Sequence, residues 1–437
     1  MAQGSRWLQL KAELRHHKET SPVLAAVLTL MSGTGIAQVI TFLLQIFIAR
    51  IYSDYDKGLF GVYGTITGFI ITFAALRFNV AIVLPKKGEI ARLVKKLSTR
   101  CVVISAILTS ALCIIFSKLL EKHYHHSPLL SKWLMVGGVT VFIVAEITNV
   151  QYWLIRQERF GVIAANTILQ SLSTAGMQLI MGLVLQGGLT GLIIGTMSGQ
   201  LITLIFLSAK TPELREKMPP GMPSLFSVAR RYKAMPLLNA PNAFVEAVRN
   251  LGINLLVGAA SIAALGQFQL AWAILEVPVG LIAGSVSQVF LKKLAAAEPG
   301  EMSPMVSKTL KNVFLLAAPV FAILALLSPW LFPFVFGDQW DTAGYYGRAL
   351  MPWLFVSVLS SPISNIFVVT ENQRLLLGFG VVYTIIPLSW LWLSPYELMP
   401  TVFVLGALMG LMLCVQIGLA VWCARKYDSN SHPCSAF

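Results

Sequence analysis

The chain predicts an all-α integral membrane fold, and three observations carry that prediction. Its 437 residues are 56% hydrophobic and 12% charged, with a mean hydropathy of +0.73, too apolar for a soluble domain of this length. Apolar windows of about 18 residues or more, enough to cross a hydrocarbon core, recur from end to end. Polar residues inside several windows fall three or four apart, the spacing of one helix face. Each window is read as a helix because an isolated segment in lipid must satisfy its own backbone.

Twelve spans follow in order. The first, 23–49, is longer than a signal-peptide core, lacks a preceding small-residue cleavage pattern and is expected to stay in place; Thr34, Gln38, Thr41 and Gln45 mark one of its faces. The second, 58–84, carries Arg77, for which its own helix offers no obvious carboxylate. Span 101–119 is plain, and 132–155 contains Glu146. The fifth, 162–186, repeats an amide and hydroxyl stripe in Asn166, Gln170, Thr174 and Gln178, and 189–209 closes the first half. The seventh, 237–258, is the most polar: Asn239, Asn242, Glu246, Arg249, Asn250 and Asn254 share a face. Span 264–290 holds Glu276; 312–332, 343–369 with Arg348 near its outer end, 375–394 and 398–424 complete the set. Within spans, proline is confined to the second half, including Pro241, Pro278, Pro319, Pro329, Pro352, Pro362 and Pro387. Each removes a helix hydrogen bond, which suits either permanent bends for packing or helices that flex during gating.

The basic loop 210–236, broken by Pro219, Pro220, Gly221 and Pro223, divides the spans six and six. The expected organisation is a cytoplasmic segment 1–22, an N-lobe 23–209, a cytoplasmic connector 210–236, a C-lobe 237–424 and a cytoplasmic tail 425–437. Residues 58–87 and 264–293 both run as Gly-rich apolar spans ending in a Lys pair, which suggests parallel repeats with binding between the halves. With a cytoplasmic N-terminus, about 25 of the 33 Lys and Arg fall on the inside and about 5 on the outside, as the positive-inside rule requires. Basic loops against an anionic inner leaflet account for the net charge of +14, so no nucleic-acid partner is invoked.

A charge at the bilayer centre costs roughly 2.5 to over 10 kcal/mol, so the stripe of the seventh span must face protein or water. Amide stripes on three spans suit a wet lumen, although amides and hydroxyls also bond across packed membrane helices. Arg77 is the leading phosphate-binding candidate and Arg249 the second, because a guanidinium fork matches phosphate oxygens and stays charged when partly desolvated. Glu246 and Arg249 stand three apart and could instead pair with each other. Glu146, Glu246 and Glu276 are the carboxyl groups at depth and the candidates for coupling to an ion.

The remaining chemistry is mostly negative. None of the five cysteines forms a CxxC pair, and His123, His125 and His126 on an outer loop are read as surface chemistry, so no metal or disulfide is expected. No GxxxxGK[ST], HExxH or GxSxG motif occurs, and short outer loops leave no room for a catalytic domain. No catalytic residue and no cofactor are assigned; energy must come from an H+ or Na+ gradient, the membrane potential or the substrate's own gradient.

Several stretches carry a family resemblance: Leu30 to Gln38, Ala49 to Asp54, Gly58 to Gly61, Leu76 to Pro85, Val277 to Phe290, Phe334 to Gly344 and Ser361 to Asn365. Taken in order over about residues 25 to 425, the chain resembles the polysaccharide and O-antigen flippase family of the multidrug/oligosaccharidyl-lipid/polysaccharide exporter superfamily. The resemblance implies two lobes in a V around a central cavity. It also implies transport of undecaprenyl-pyrophosphate-linked oligosaccharide from the inner to the outer leaflet of a bacterial inner membrane, alongside polymerase and glycosyltransferase machinery. Arg77 and Arg249 would hold pyrophosphate, Glu246 and Glu276 would tune or couple, and Gln38, Gln45, Asn166, Gln170, Asn242 and Asn250 would contact sugar, since amides both donate and accept. Asn79 stands where this family often has an acidic residue, so no proton-carrying role passes to that position. The alternatives are a cation-coupled multidrug exporter of the same superfamily and a membrane glycan polymerase or ligase.

Overall fold

The computed structural model describes residues 22–116, 127–216, 218–219, 222–233, 240–295, 300–370 and 372–430. The segment 1–21, His123, His125, His126, Pro220, Gly221, Asn239 and the tail beyond 430 lie outside the described residues. We number the long helices α1 (Pro22–Ile51), α2 (Asp54–Ala74), α3 (Gly88–Ile115), α4 (Gly137–Arg156), α5 (Phe160–Val184), α6 (Gly188–Lys210), α7 (Ala240–Ala260), α8 (Ile262–Ala295), α9 (Met302–Phe336), α10 (Asp341–Ile363), α11 (Gln373–Leu393) and α12 (Leu398–Asn430).

No strand occurs among the described residues, and eleven of these helices are long and apolar enough to cross a membrane. The exception is α10, diluted by Arg348, Ser357, Ser360 and Ser361. It is enclosed by α8, α9 and α12, with Ala349, Leu350 and Val358 fully buried, so its neighbours rather than lipid meet most of its surface. A helix shielded in this way tolerates polar residues that a lipid-facing one would not.

Helices α1 to α6 form one bundle, organised by α5 lying between α1 and α6, and α7 to α12 form the second around α10. The chain is thus a multi-pass membrane protein of two six-helix lobes in a V around a central cavity. The lobes meet mainly where α2 lies against α8 and α7. The crossing of α2 and α8 depends on two glycines. A Cβ on Gly58 would run into the Ile262 carbonyl, and one on Gly266 into the Asp54 carbonyl. Missing side chains let these backbones approach, the usual means of close helix contact in lipid.

Several elements differ from their windows. The second span was expected over 58–84, but α2 begins at Asp54 and stops at Ala74. Its start is a capping box: Ser53 Oγ accepts from the Asp56 N–H at 3.0 Å, while the Ser53 N–H donates to Asp56 Oδ2 at 3.4 Å. Its end is a backbone break in which Leu76 and Arg77 take left-handed φ of 47° and 59°, followed by the short turn Phe78–Ala81. The fourth span is interrupted at Val136, leaving Pro128–Met135 as a separate helix, and the tenth ends at Ile363 before the short Ile366–Val369. In contrast, α8, α9 and α12 run 34, 35 and 33 residues. At 1.5 Å per residue each is about 50 Å long, well beyond a hydrocarbon core of about 30 Å. Apolar windows miss these extensions because the added turns carry charge.

Proline explains one unusual bond. Pro329 cannot donate to the carbonyl four residues earlier, that of Ala325. Arg348 Nε from α10 supplies the donor at 3.0 Å, and its Nη2 reaches the Leu326 carbonyl at 3.2 Å. The connector is also more structured than a helix-breaking loop. Trp153 Nε1 and Arg159 Nη1 donate to Glu213 Oε1 at 3.0 and 3.3 Å, and Arg92 pairs with Glu216 at 2.7 Å. The short helix Leu225–Arg231 packs Val228 against Ala81, Ile82, Val94 and Trp153. The described part of the connector therefore belongs physically to the N-lobe.

Candidate functional site

Two cavities matter. The larger, about 500 Å3, lies wholly within the C-lobe. Asn242, Glu246, Arg249 and Asn250 of α7 reach it from one face, and Glu276 of α8 reaches it from a second helix. Five of the expected residues are therefore brought together. The rest of the wall was not anticipated: Trp272, Trp353, Tyr383 and Phe379 supply aromatic surface, and α10 supplies a row of serines. A three-to-four spacing of Ser357, Ser360, Ser361 and Ser364 was available in the sequence as a signal for that row.

Within this cavity Arg249 is well covered while Glu246 is open, with side-chain exposures of 13% and 67%. Their closest atoms are 3.9 Å apart, a loose i,i+3 pair. The guanidinium also lies over the Tyr383 ring, 4.5 Å from its centroid, a cation–π contact. Arg249 Nε is buried without a partner. Asn254 is turned away from the cavity role: it donates to the Asn250 carbonyl at 2.8 Å and accepts from Gln269 Nε2 at 2.9 Å, which ties α7 to α8.

The second cavity, about 180 Å3, lies between the lobes, lined by Thr41, Gln45, Lys57 and Gln178 from one side and Gln269 from α8 on the other. Lys57 Nζ donates to Gln45 Oε1 at 2.8 Å and stands 5.3 Å from the centre of the Trp340 ring, which belongs to the opposite lobe. Among the described residues no carboxylate forms an ion pair with Lys57. Lys57 falls one residue before the apolar window that starts at Gly58, and so outside the expected span. The Ser53-x-x-Asp56 capping pattern was the signal that puts it one turn inside α2.

Around Lys57 the lobes are sealed by polar bonds. Gln339 Nε2 and Trp340 Nε1 both donate to the Ala49 carbonyl, at 2.6 and 2.7 Å. Arg50 Nη2 donates to the Val335 carbonyl at 3.2 Å, and Gln267 Nε2 to Asp54 Oδ2 at 3.1 Å. Toward the other end of α2 the contact is aromatic, Phe244 of α7 lying 6.2 and 5.8 Å from Phe69 and Phe73. Tyr52, in the turn between α1 and α2, is fully buried and donates from Oη to the Gln178 carbonyl at 2.8 Å. Burial, with the charge of Asp56 adding, pushes its phenol up to about 12, so it remains a donor at neutral pH.

Other expected residues lie elsewhere. Arg77 is not inside a continuous span; it sits at the break after α2 and lines neither cavity. Glu146 is not a lone carboxyl. It pairs with Lys95, accepts from Thr99 Oγ1 at 3.0 Å and from Asn149 Nδ2 at 2.9 Å, and faces α3 rather than a cavity. The pair went unseen because α3 begins at Gly88, which carries Lys95 two turns into a helix that the apolar window starts at 101. Asn166 is fully buried with both amide atoms unpartnered, and Gln170 is half-buried outside both cavities. Gln38 has a buried, unpartnered Oε1 and approaches Gly280 of α8. The polar stripes thus split: Thr41, Gln45 and Gln178 face a cavity, while Asn166 is packed. Among the described residues no cluster of His, Cys, Asp and Glu is arranged to hold a metal.

Comparison with known proteins places this geometry. Residues 47–344 match the family described as polysaccharide biosynthesis protein. None of the curated proteins matches the chain. Among solved structures, the chain is similar to the lipid II flippase MurJ in an inward closed conformation, with a TM-score of 0.71 and 15% identity over 92% of this chain and 90% of that one. It is similar to an inward-facing multidrug resistance MATE family transporter of the MOP superfamily, with a TM-score of 0.67 and 14% identity over 91% and 96%. A MOP superfamily transporter from Pyrococcus furiosus gives 0.59 and 14% over 92% and 95%. At these identities the likeness is one of fold.

Proposed function

The chain belongs to the polysaccharide biosynthesis protein family, and from that premise we propose that it is a flippase for lipid-linked oligosaccharide. It moves an undecaprenyl-pyrophosphate-linked repeat unit of O-antigen or another surface polysaccharide from the inner to the outer leaflet of the bacterial inner membrane, by alternating access between its lobes. The distribution of Lys and Arg supports cytoplasmic termini, which makes the sealed end around Ala49 and Trp340 the outer one. One neighbour of the same fold is named a lipid II flippase, a transporter whose cargo is also lipid-linked.

The observation that carries the reading is Lys57: a lysine that forms no ion pair with a carboxylate among the described residues, in a cavity that both lobes line. A buried cation of this kind suits the pyrophosphate, whose charge must be carried past hydrocarbon. Lys57 takes that role from Arg77, which lies outside the cavities, and from Arg249, which already has Glu246 and the Tyr383 ring. Glu246 and Glu276 stay the candidates for coupling to an H+ or Na+ gradient. The same two carboxyls favour one second reading, a cation-coupled multidrug exporter, because they would attract an organic cation.

Purified protein in proteoliposomes with a fluorescent undecaprenyl-pyrophosphate oligosaccharide tests both. Wild type should translocate the lipid, Lys57→Ala should slow it by about tenfold or more, equivalent to one lost charge-assisted contact, and Lys57→Arg should retain most of the rate. Full activity of the Ala variant removes Lys57 from the site. Failure to move the lipid, together with export of organic cations, establishes the second reading instead.

A further inference from the structure

The C-lobe cavity lies across α8 from the cavity around Lys57, with Trp272, Glu276 and Val279 lining it and Ala273, Ile274 and Val277 lining the other, and its balance of groups is unusual. Its acidic and basic side chains, apart from the Tyr383 phenol, are Glu246, Glu276 and Arg249, so it has no net positive charge while either carboxyl is ionised. Three of the four serines on its wall already donate their protons within the protein. Ser357 Oγ donates to the Leu354 carbonyl at 2.9 Å, Ser360 Oγ to Gln416 Oε1 at 2.8 Å, and Ser364 Oγ to the Ser361 carbonyl at 2.7 Å. What these hydroxyls can turn toward a ligand are acceptor lone pairs. Trp272 and Trp353, edge to face at 4.8 Å, add an apolar aromatic wall. The cavity therefore sets two carboxyl groups and these hydroxyl acceptors against one guanidinium and the Asn242 and Asn250 amides, carries no net positive charge while either carboxyl is ionised, and is aromatic on one side. A pyrophosphate offers acceptors and negative charge and fits poorly; a sugar offers hydroxyl donors and an apolar C–H face and fits well.

Resting on the flippase reading, we propose that this cavity is the subsite for the glycan part of the cargo, and that it accepts neutral, acetamido or amine-bearing sugars while refusing uronates. The charges of the cargo are divided by the protein: the pyrophosphate goes to Lys57 between the lobes and the sugar to the carboxylate-bearing cavity of the C-lobe. A uronate would face Glu246 and Glu276 with like charge, whereas a protonated sugar amine would gain a charge-assisted hydrogen bond from either.

The test uses full-length protein in nanodiscs and three probes, methyl glucosaminide, methyl glucoside and methyl glucuronide, titrated by saturation-transfer NMR. The glucosaminide should bind about tenfold more tightly than the glucuronide, the worth of one such hydrogen bond, with the glucoside between them. Glu276→Gln should narrow that ratio, and Glu246→Gln, at an exposed position that a folded chain tolerates, provides the same readout if the first variant fails to fold. A glucuronide that binds as tightly as the glucosaminide, or a ratio unmoved by the folded variants, overturns the proposal. Proteoliposomes separate its failure from that of the parent reading. Equal translocation of neutral and uronate-bearing lipid-linked glycans sinks the selectivity with the flippase intact. No translocation of either sinks the flippase reading and the glycan assignment with it.

Discussion

Lys57 and Lys95 show how the same residue type does opposite work depending on what lies within 4 Å. Lys95 is neutralised by Glu146, and the carboxylate is further held by Thr99 and Asn149, with Ser98 Oγ donating to Asn149 Oδ1 at 2.7 Å. That network is complete, so it fixes α3 against α4 and leaves no free charge for a ligand. Removing one partner of a buried pair strands the other, at a cost of about 3 kcal/mol. Glu146→Ala should therefore lower the thermal unfolding midpoint clearly, while the double change Glu146→Leu with Lys95→Leu should recover most of the loss. A double variant as unstable as the single one would show that the pair itself, and not the stranded lysine, is what matters. Lys57 meets, among the described residues, a glutamine oxygen and an indole face instead of a carboxylate, which positions the amine without pairing it to an anion. Its replacement by alanine should accordingly spare stability and cut transport.

At the scale of helices, the crossing of α2 and α8 is the hinge between stability and movement, because backbones separated by glycine alone can part without unlocking side chains. Gly266→Val places side-chain atoms against the Asp54 carbonyl. The lobes can then no longer close at that end, and we expect translocation to fall at least tenfold in protein that still purifies as a folded monodisperse sample. Normal flux would mean that the close approach of α2 and α8 at Gly266 is not needed in the transport cycle. The helices themselves were legible in the sequence because hydropathy reports lipid contact directly: eleven of the twelve long helices remain visible as apolar stretches. Helix ends were not, since caps and charged turns decide them; Ser53 and Asp56 moved the start of α2 outward and Leu76 with Arg77 ended it early. The same limitation governs the site. The face of α7 is readable from its spacing, but Lys57 and Lys95 fall outside the apolar windows because a charged residue lowers the hydropathy of the turn that contains it. Asn166 looked like lumen and is packed, because a stripe of amides has the same periodicity whether it meets water or another helix.

For the molecule as a whole, the asymmetry of its seam sets the expected cycle. The hydrogen bonds that cross between the lobes among the described residues gather at the end near Ala49, Arg50 and Asp54. At the other end Phe244 meets Phe69 and Phe73 with no directional bond. Hydrogen bonds to backbone carbonyls and to the Asp54 carboxylate are lost once the lobes separate, so the first end behaves as a latch, whereas aromatic contacts slide. Alternating access then requires the latch to break once per turnover. Cysteines at Asp54 and Gln267, whose side chains meet at 3.1 Å, would span it after replacement of Cys101, Cys113, Cys414, Cys423 and Cys434. Oxidation should cross-link the pair efficiently in the absence of cargo and stop translocation, and a reductant should restore it. Flux that continues at full rate through the cross-linked protein would show that cargo passes without the latch opening, and the two-lobed cycle would have to be replaced by a path along one lobe.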